Sequence, residues 1–318
     1  MPRAYAGAMQ RALALAVDFG GTKVEAALVD DRGRLVPATR HRRPTGPTVS
    51  SAELDDAVRE VVEAAYAAVP HRAILIGVGI GAAGPVDVDR GLVSPLNVPA
   101  WRDHPLADSV ASIVPDAPVT LRIDGLCIAL AEHWVGAGRG VSNLLGMVVS
   151  TGVGGGLLLG GRAAPSPTGN GGHIGHVEIG GFDDPCACGG RGCLEAVASG
   201  PRTVAWARTQ GFTGESGEEL ALAHEAGDPI AVAAVARAGD AIGHAVASAT
   251  NLLDLDLVAI GGGFSRVSPA LFEHARAALA ERLAFPFVSR VEIVPSGLSD
   301  EGPLIGAAAL VHRPEFLA

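Results

Sequence analysis

The sequence predicts an α/β protein with room for two domains. Three observations carry that expectation. Apolar runs of strand length alternate with Ala-rich helical stretches, aromatic residues make up only 4% of the chain, and 318 residues exceed the span one hydrophobic core normally covers.

The elements follow in order. Leu13 to Val17 is an apolar strand that ends at Asp18. Asp18-Phe19-Gly20-Gly21-Thr22-Lys23 is a tight turn, Val24 to Val29 a returning strand, and Asp30 to Gly33 a second turn. Ala52 to Val69 has the apolar spacing of a helix. Ile74 to Ile80 reads as a strand leading into the loop Gly81 to Asp87. Val119 to Ile123 is a strand that delivers Asp124 at its end, and Gly125 to Trp134 is helical. Leu144 to Val149 and Gly156 to Leu159 form a strand pair about a glycine turn. Pro165 to Gly172, rich in Pro, Gly, Ser and Asn, is expected to be a mobile loop. The longest helix runs from Asp228 to Asn251, with Asp228 as N-cap and Pro229 in the first turn. Leu257 to Ile260 is a strand running into Gly261-Gly262-Gly263, and Gly306 to Ala309 lies in a C-terminal helix.

Bulk properties narrow the partners. The formal charge is −10 and no basic run stands out, so a nucleic-acid face is not expected. Met1 to Gln10 does not read as a signal peptide, and the apolar run after it is too short for one. Leu144 to Gly161 carries no charge, yet its central glycines fit two strands better than a membrane span. The expectation is a soluble cytoplasmic protein in a reducing environment.

The most specific signal is His176 followed by Cys186, Cys188 and Cys193, three of the chain's four cysteines within eight residues. Three thiolates and an imidazole suit a closed tetrahedral zinc site, which is structural because it leaves no open position. Glycines at 189, 190 and 192 let the backbone turn tightly between the ligands. A disulfide framework belongs to small secreted domains, which this chain does not resemble.

Two further segments share one design, a small-residue turn between apolar strands: Asp18 to Lys23, and Ser150-Thr151-Gly152-Val153-Gly154-Gly155-Gly156. Successive backbone N–H groups in such turns form anion-binding concavities, with the Thr22 and Thr151 hydroxyls as extra donors. Lys23 either adds charge or is a solvated side chain. Asp18 suits Mg²⁺ held through water. Each turn alone reads more often as a plain tight turn, but together with Gly261 to Gly263 they point to a nucleotide cleft. Asp124 reads either as a helix N-cap or as a cleft carboxylate that takes a proton from a substrate hydroxyl.

These residues, in this order, resemble the ROK family of sugar kinases and regulators, over essentially the whole chain from Leu13. The resemblance rests on Asp-x-Gly-Gly-Thr-Lys, Gly84 to Asp87, Asn97, Trp101, Asp124, Thr151 to Gly156, the His176 and cysteine signature with Glu195, and the late glycine run. It implies a two-domain actin-like ATPase (ribonuclease H-like) fold with an interdomain cleft and a structural zinc site. The implied domains are 1–122 plus 303–318, a small α/β domain closed by the returning C-terminal helix, and 123–302, which holds the zinc segment. It also implies transfer of the γ-phosphate of ATP to a hydroxyl, chiefly the 6-hydroxyl, of a hexose or derivative such as glucose or N-acetylmannosamine. Asp124 would be the general base. Asp18, Gly20, Gly21, Thr22, Lys23, Thr151, Gly152 and Gly154 would hold Mg²⁺ and phosphates, and Gly262 and Gly263 would line the adenosine. Gly84, Asn97, Asp124, His173, His176 and Glu195 would face the sugar, while His176, Cys186, Cys188 and Cys193 would bind Zn²⁺. Family members are commonly homodimers or homotetramers.

Two positions depart from the family's glucokinase pattern. Asn-Asp at the catalytic strand end is here Ile123-Asp124, and Glu-x-Gly-His is here His173-Ile174-Gly175-His176. The His is similar to the pattern of some bacterial N-acetylmannosamine kinases. Losing two hydroxyl partners argues against strict glucose specificity, so an acylamino or amino hexose or a hexose-like cyclitol comes into range. Two other classes are weighed. A repressor would carry a helix-turn-helix domain ahead of the first strand, where only about a dozen residues precede Leu13. A non-catalytic sugar sensor is favoured by Ile123 and disfavoured by Asp18, Asp124 and the phosphate loops.

Overall fold

The computed structural model describes residues 11–282, 285–286, 288–298 and 300–317. Met1 to Gln10, read above as non-signal residues, lie outside that range. Twelve strands and nine α-helices are found among the described residues. The first half contains β1 (Arg11–Phe19), β2 (Lys23–Asp30), β3 (His41–Pro44), α1 (Ser51–Ala67), β4 (Ala73–Ala82), β5 (Val86–Asp87), β6 (Leu92–Val93), α2 (Leu106–Ile113), β7 (Val119–Ile123) and α3 (Asp124–Trp134). The second contains β8 (Leu144–Val149), β9 (Val153–Leu159), β10 (Arg162–Ala163), α4 (Leu194–Ala198), α5 (Gly200–Thr209), α6 (Gly217–Glu225), α7 (Pro229–Leu253), β11 (Leu257–Gly261), α8 (Ala270–Glu281), β12 (Glu292–Pro295) and α9 (Gly302–His312).

The two five-stranded sheets repeat one topology, β3-β2-β1-β4-β7 and β10-β9-β8-β11-β12. In each, an antiparallel hairpin is followed by two parallel strands, β1 with β4 and β7 in the first, β8 with β11 and β12 in the second. Short β3, β5, β6, β10 and β12 were not foreseen. β3 is a polar His-Arg-Arg-Pro edge and β12 only four residues, so neither carries a strand's apolar signature.

Side-chain alternation sorts each sheet into two faces. Leu13, Leu15, Val17 and Phe19 of β1 join the core beneath α1 and α2, whereas Ala14 and Ala16 face a central core shared with α3 and α9. In the second sheet Leu145, Met147, Val149, Val258 and Ile260 pack beneath α4, α7 and α8, whereas Leu144, Leu257 and Ala259 face the same central core. On β1 the large side chains thus point outward and the small ones inward, where helices come close.

Those helices change partners. α3 follows the first sheet but packs on β8 and β9, and α9 follows the second sheet but packs on β1 and β4; the two helices also pack on each other. The contacts are at backbone distance. A Cβ at Gly125 of α3 would collide with the Gly155 carbonyl, one at Gly306 of α9 with the Cys127 carbonyl, and one at Gly79 of β4 with the Ala307 carbonyl.

Local signals start the long helices. Ser50 and Glu53 form a reciprocal capping box on α1, whose buried Leu54, Val58, Val61, Val62 and Ala65 lie on one face. Asp228 caps α7 as expected, accepting from Ile230 N and Ala231 N at 2.9 Å. α7 is long and apolar enough to cross a membrane by length and composition, but 61% of its most apolar window is buried inside the fold, so it is a core helix here.

Gly306→Ala tests the central contact. A methyl against the Cys127 backbone has no room, so a loss of about 1–3 kcal/mol in urea-unfolding stability is expected, and an unchanged unfolding midpoint would contradict this packing.

Candidate active site

Two carboxylates converge where the sheets meet. Asp18 is the penultimate residue of β1 and is only 7% exposed. Burial pushes its carboxyl up to about 7; the charges of Asp124 and Glu25 add to the rise, while Lys23 and Arg40 oppose it. Asp124 opens α3, and burial pushes it to about 6. The N-cap position belongs to Ile123, and the Asp124 Oδ1 accepts only the neighbouring Gly125 N–H, at 2.7 Å. Asp124 is therefore not the cap the sequence left open. Buried Cys127, further along α3, has its thiol raised well above normal by burial and by these two carboxylates.

Lys23 is spoken for. Its Nζ lies 2.6 Å from Glu25 Oε2, and Glu25, 1% exposed, also takes Arg40 at 3.1 Å and Arg42 at 2.6 Å. Burial acts to raise Glu25, yet the hydrogen bonds from Lys23 and Arg40 outweigh it and hold the carboxyl below its ordinary value. Arg40 reaches on to the Asp300 carboxylate at 3.0 Å, tying β2 to the segment before α9. A lone Glu inside the apolar run Val24 to Val29 was the signal for this cluster, and the sequence reading passed over it.

Both glycine hairpins form as expected, and each is braced by a neighbour. In the first, Gly20 N donates to Lys23 O at 2.9 Å and the Thr45 hydroxyl donates to Gly20 O at 2.7 Å. Thr22 is exposed at the tip, and Asn97 lies against Gly21. In the second, Ser150 N donates to Gly152 O at 2.9 Å, Thr151 is exposed, and open space surrounds Gly154. Glu195 at the start of α4 accepts Val153 N–H at 2.9 Å, so one of its oxygens holds this hairpin. Gly262, at φ +98°, lets the third glycine run turn against the Val149 carbonyl, and Gly263 borders Ser150.

On the other side, Gly84 packs on Ile123: a Cβ there would lie 2.8 Å from Ile123 Cδ1. His173 and His176 flank a short 3₁₀ turn, ring centroids 5.8 Å apart. Burial, with His176 close by, lowers the His173 pKa, while Glu195 opposes the shift. The segment 165–172, expected to be mobile, is instead tied down. Ser166 bonds Gly169 N and Gly171 N, and the Asn170 side chain bonds the Val86 backbone.

The metal cluster assembles. His176, Cys186, Cys188 and Cys193 place one ligand atom each within 4.8 Å of one another, and all four cysteines of the chain are free. Cys186 Sγ lies 3.7 Å from His176 Nδ1, and Cys188 Sγ 3.7 Å from Cys193 Sγ. Tetrahedral zinc with Zn–S of about 2.3 Å has edges of roughly 3.8 Å, so the donor set and its spacing fit Zn²⁺ and not a disulfide. Asp184 beside the cluster pairs with Arg237 of α7 at 2.6 Å, and the Arg237 guanidinium lies over the Phe182 and Trp206 rings.

Comparisons with known proteins show what the whole chain is similar to. The ROK family profile matches residues 14–314. The chain is 31% identical to a glucokinase of Thermotoga maritima, over 94% of this chain and 97% of that one. It is 31% identical to an N-acetyl-D-glucosamine kinase of Yersinia pseudotuberculosis, over 92% and 97%. A solved ROK family glucokinase from Streptomyces griseus, in complex with glucose and AMPPNP, superposes with a TM-score of 0.81 at 28% identity, over 95% of this chain and 99% of that one.

The raised Asp18 makes a stability prediction. Its folded pKa of about 7 lies above the unfolded value of 3.8, so the unfolded chain ionises first and stability falls as pH rises from about 4 to 7. Asp18→Asn removes that penalty, which is on the order of 4 kcal/mol. Without added nucleotide or metal, the variant should melt higher than wild type at pH 8 and nearly with it at pH 4. Equal gains at both pH values would contradict a buried, ionisable Asp18.

Proposed function

The chain belongs to the ROK family, and from that premise we propose that it is an ATP-dependent sugar kinase acting on a hydroxyl, the 6-hydroxyl, of a hexose or hexose derivative. The observation that carries the reading is Asp124. A carboxylate with pKa raised to about 6 opens a helix opposite Asp18 and close to two glycine hairpins. Such a group is ionised at neutral pH yet basic enough to take a hydroxyl proton. In the transfer, the acceptor oxygen bonds to the γ-phosphorus, the bond to the bridging oxygen of ADP breaks, and the hydroxyl proton passes to Asp124.

The remaining residues position and neutralise, which is most of what phosphoryl transfer asks of a protein. Asp18 and Asp124 disfavour each other's charge, and that anionic corner fits Mg²⁺ brought with ATP. Gly20, Gly21, Thr22, Thr151, Gly152 and Gly154 supply the phosphate-facing turns, and Gly262 and Gly263 the adenosine side. Lys23 acts through Glu25 in this reading, because its ammonium is already paired. Gly84, Asn97, His173, His176 and Glu195 frame the acceptor. His176, Cys186, Cys188 and Cys193 would hold a structural zinc that keeps the His173–His176 turn in place. Two domains, 11–122 with 303–317 and 123–302, would close over the cleft to exclude water. Homodimers or homotetramers in the cytoplasm complete the proposal.

A second reading concerns the acceptor. Ile123 sets an apolar side chain against Gly84, and His173 replaces an acidic hydroxyl partner. Both favour a 2-acylamino hexose over glucose, in keeping with the N-acetyl-D-glucosamine kinase relative.

The direct test is ADP release with Mg-ATP across glucose, mannose, N-acetylglucosamine and N-acetylmannosamine. Turnover of at least one is expected. Asp124→Asn should lower kcat by about 10²–10⁴-fold, and kcat/KM should climb with pH through the range of both carboxyls and level off only above about 7, where Asp124 and then Asp18 are ionised. Activity retained in the variant would remove Asp124 as base, and a strong preference for glucose would remove the acylamino reading. Separately, Cys188→Ser should lose bound zinc by metal analysis and weaken sugar binding; a zinc-free variant with full activity would end the structural-zinc assignment.

A further inference from the structure

The segment 165–172 and the Gly84–Asp87 loop come from different halves of the chain, and one side chain joins them. Val86 N donates to Asn170 Oδ1 at 2.8 Å, and Asn170 Nδ2 donates to Val86 O at 2.7 Å. The amide thus satisfies both backbone groups of Val86, as a neighbouring strand would. Asn170 Nδ2 also donates to Thr168 O at 3.0 Å, which holds the amide in that orientation.

Two glycines make the approach possible. Gly169, at φ +79°, packs so close to Val88 that a Cβ would collide with its side chain. Gly172, at φ +92°, lies against the Gly155 carbonyl and Gly156 of β9. One end of the segment is therefore set on the second sheet and the other on the Val86 loop. Asn170 Oδ1 also borders Gly84, whose other neighbour is Ile123, the residue before Asp124. A continuous line of contact runs from Asn170 through Gly84 and Ile123 to Asp124, and His173 follows three residues after Asn170.

We propose that Asn170 is a positioning residue for the acceptor. Its two hydrogen bonds to Val86 latch the 165–172 segment onto the Gly84–Asp87 loop, and this latch sets the shape of the pocket between Ile123 and His173. The proposal rests on the sugar-kinase reading. Asn170 does not contact the acceptor directly, since its amide is committed to backbone groups of Val86 and Thr168. Loosening the latch therefore weakens ground-state and transition-state binding alike, which raises KM and leaves kcat in place.

The test is steady-state kinetics of wild type, Asn170→Ala, Asn170→Leu and Asn170→Asp on the best sugar, alongside melting temperatures. Leu keeps the volume and removes both hydrogen bonds. Asp keeps the shape and an acceptor for Val86 N–H, but turns a carboxylate toward the Val86 carbonyl. All three should raise the sugar KM by roughly tenfold, the scale of losing two modest hydrogen bonds. kcat should stay within about twofold, with the KM for Mg-ATP close to wild type and the melting temperature lowered by only a few degrees. Wild-type KM in the Leu or Asp variant would show that volume alone suffices and overturn the proposal. A fall in kcat with unchanged sugar KM would overturn it too. If Asn170→Ala does not fold, the two variants of similar size decide. A wild type that turns over no sugar sinks the kinase reading and this proposal together, whereas an active wild type with unaltered variants sinks the proposal alone.

Discussion

The structure depends on how closely α3 and α9 can approach the sheets and each other. That approach is set by residues with little or no side chain: Gly125 against Gly155, Gly306 against Cys127, Gly79 against Ala307, and Ala14 and Ala16 on the inner face of β1. Interiors pack at crystal density, so helices that meet at backbone distance leave little freedom in where each helix sits. Asp124 is the first residue of α3, and its location is therefore set by the contacts of the whole helix. The placement of this carboxylate is a packing result before it is an electrostatic one.

Electrostatics then acts on what packing has placed. Asp18 and Asp124 are held where burial disfavours their charge, and each makes ionisation of its neighbours harder. An arrangement of this kind lowers the stability of the ligand-free protein and is retained where a cation is to be bound or a proton taken up. A few residues along β2, Glu25 takes the opposite course, with three basic side chains around one buried carboxylate. Glu25 is thus satisfied within the protein, whereas Asp18 and Asp124 are held against their ordinary ionisation.

Much of this was legible in the sequence, for identifiable reasons. The Leu-Ala-Leu-Ala-Val run of β1 has the length and apolarity of a strand, and its alternation corresponds to two faces of unequal side-chain size. The Asp228-Pro229 start of α7 and the cysteine spacing are local signals, and both assembled as expected. What escaped is non-local. Nothing in the sequence near Gly306 says that it meets Cys127, and the polar edge β3 looks like a loop. The Pro, Gly, Ser and Asn composition of 165–172 predicts mobility, because composition does not report that Asn170 finds a partner backbone in the other half. Lys23 looked available for phosphate because its partner Glu25 was read only as part of an apolar strand.

The exchange of helices has a consequence for how the protein is made. During synthesis the first sheet emerges early, but the helix that covers its inner face, α9, follows the whole of the second sheet in sequence. Until α9 leaves the ribosome, Ala14, Ala16 and Gly79 lack its cover, and the nascent first half cannot reach its final packing. Domain-by-domain folding from the N-terminus is thus closed to this architecture. The sheet that is translated first is covered only after the strands of the second have been made, and a chain stalled short of α9 leaves that inner apolar face open to chaperones and proteases.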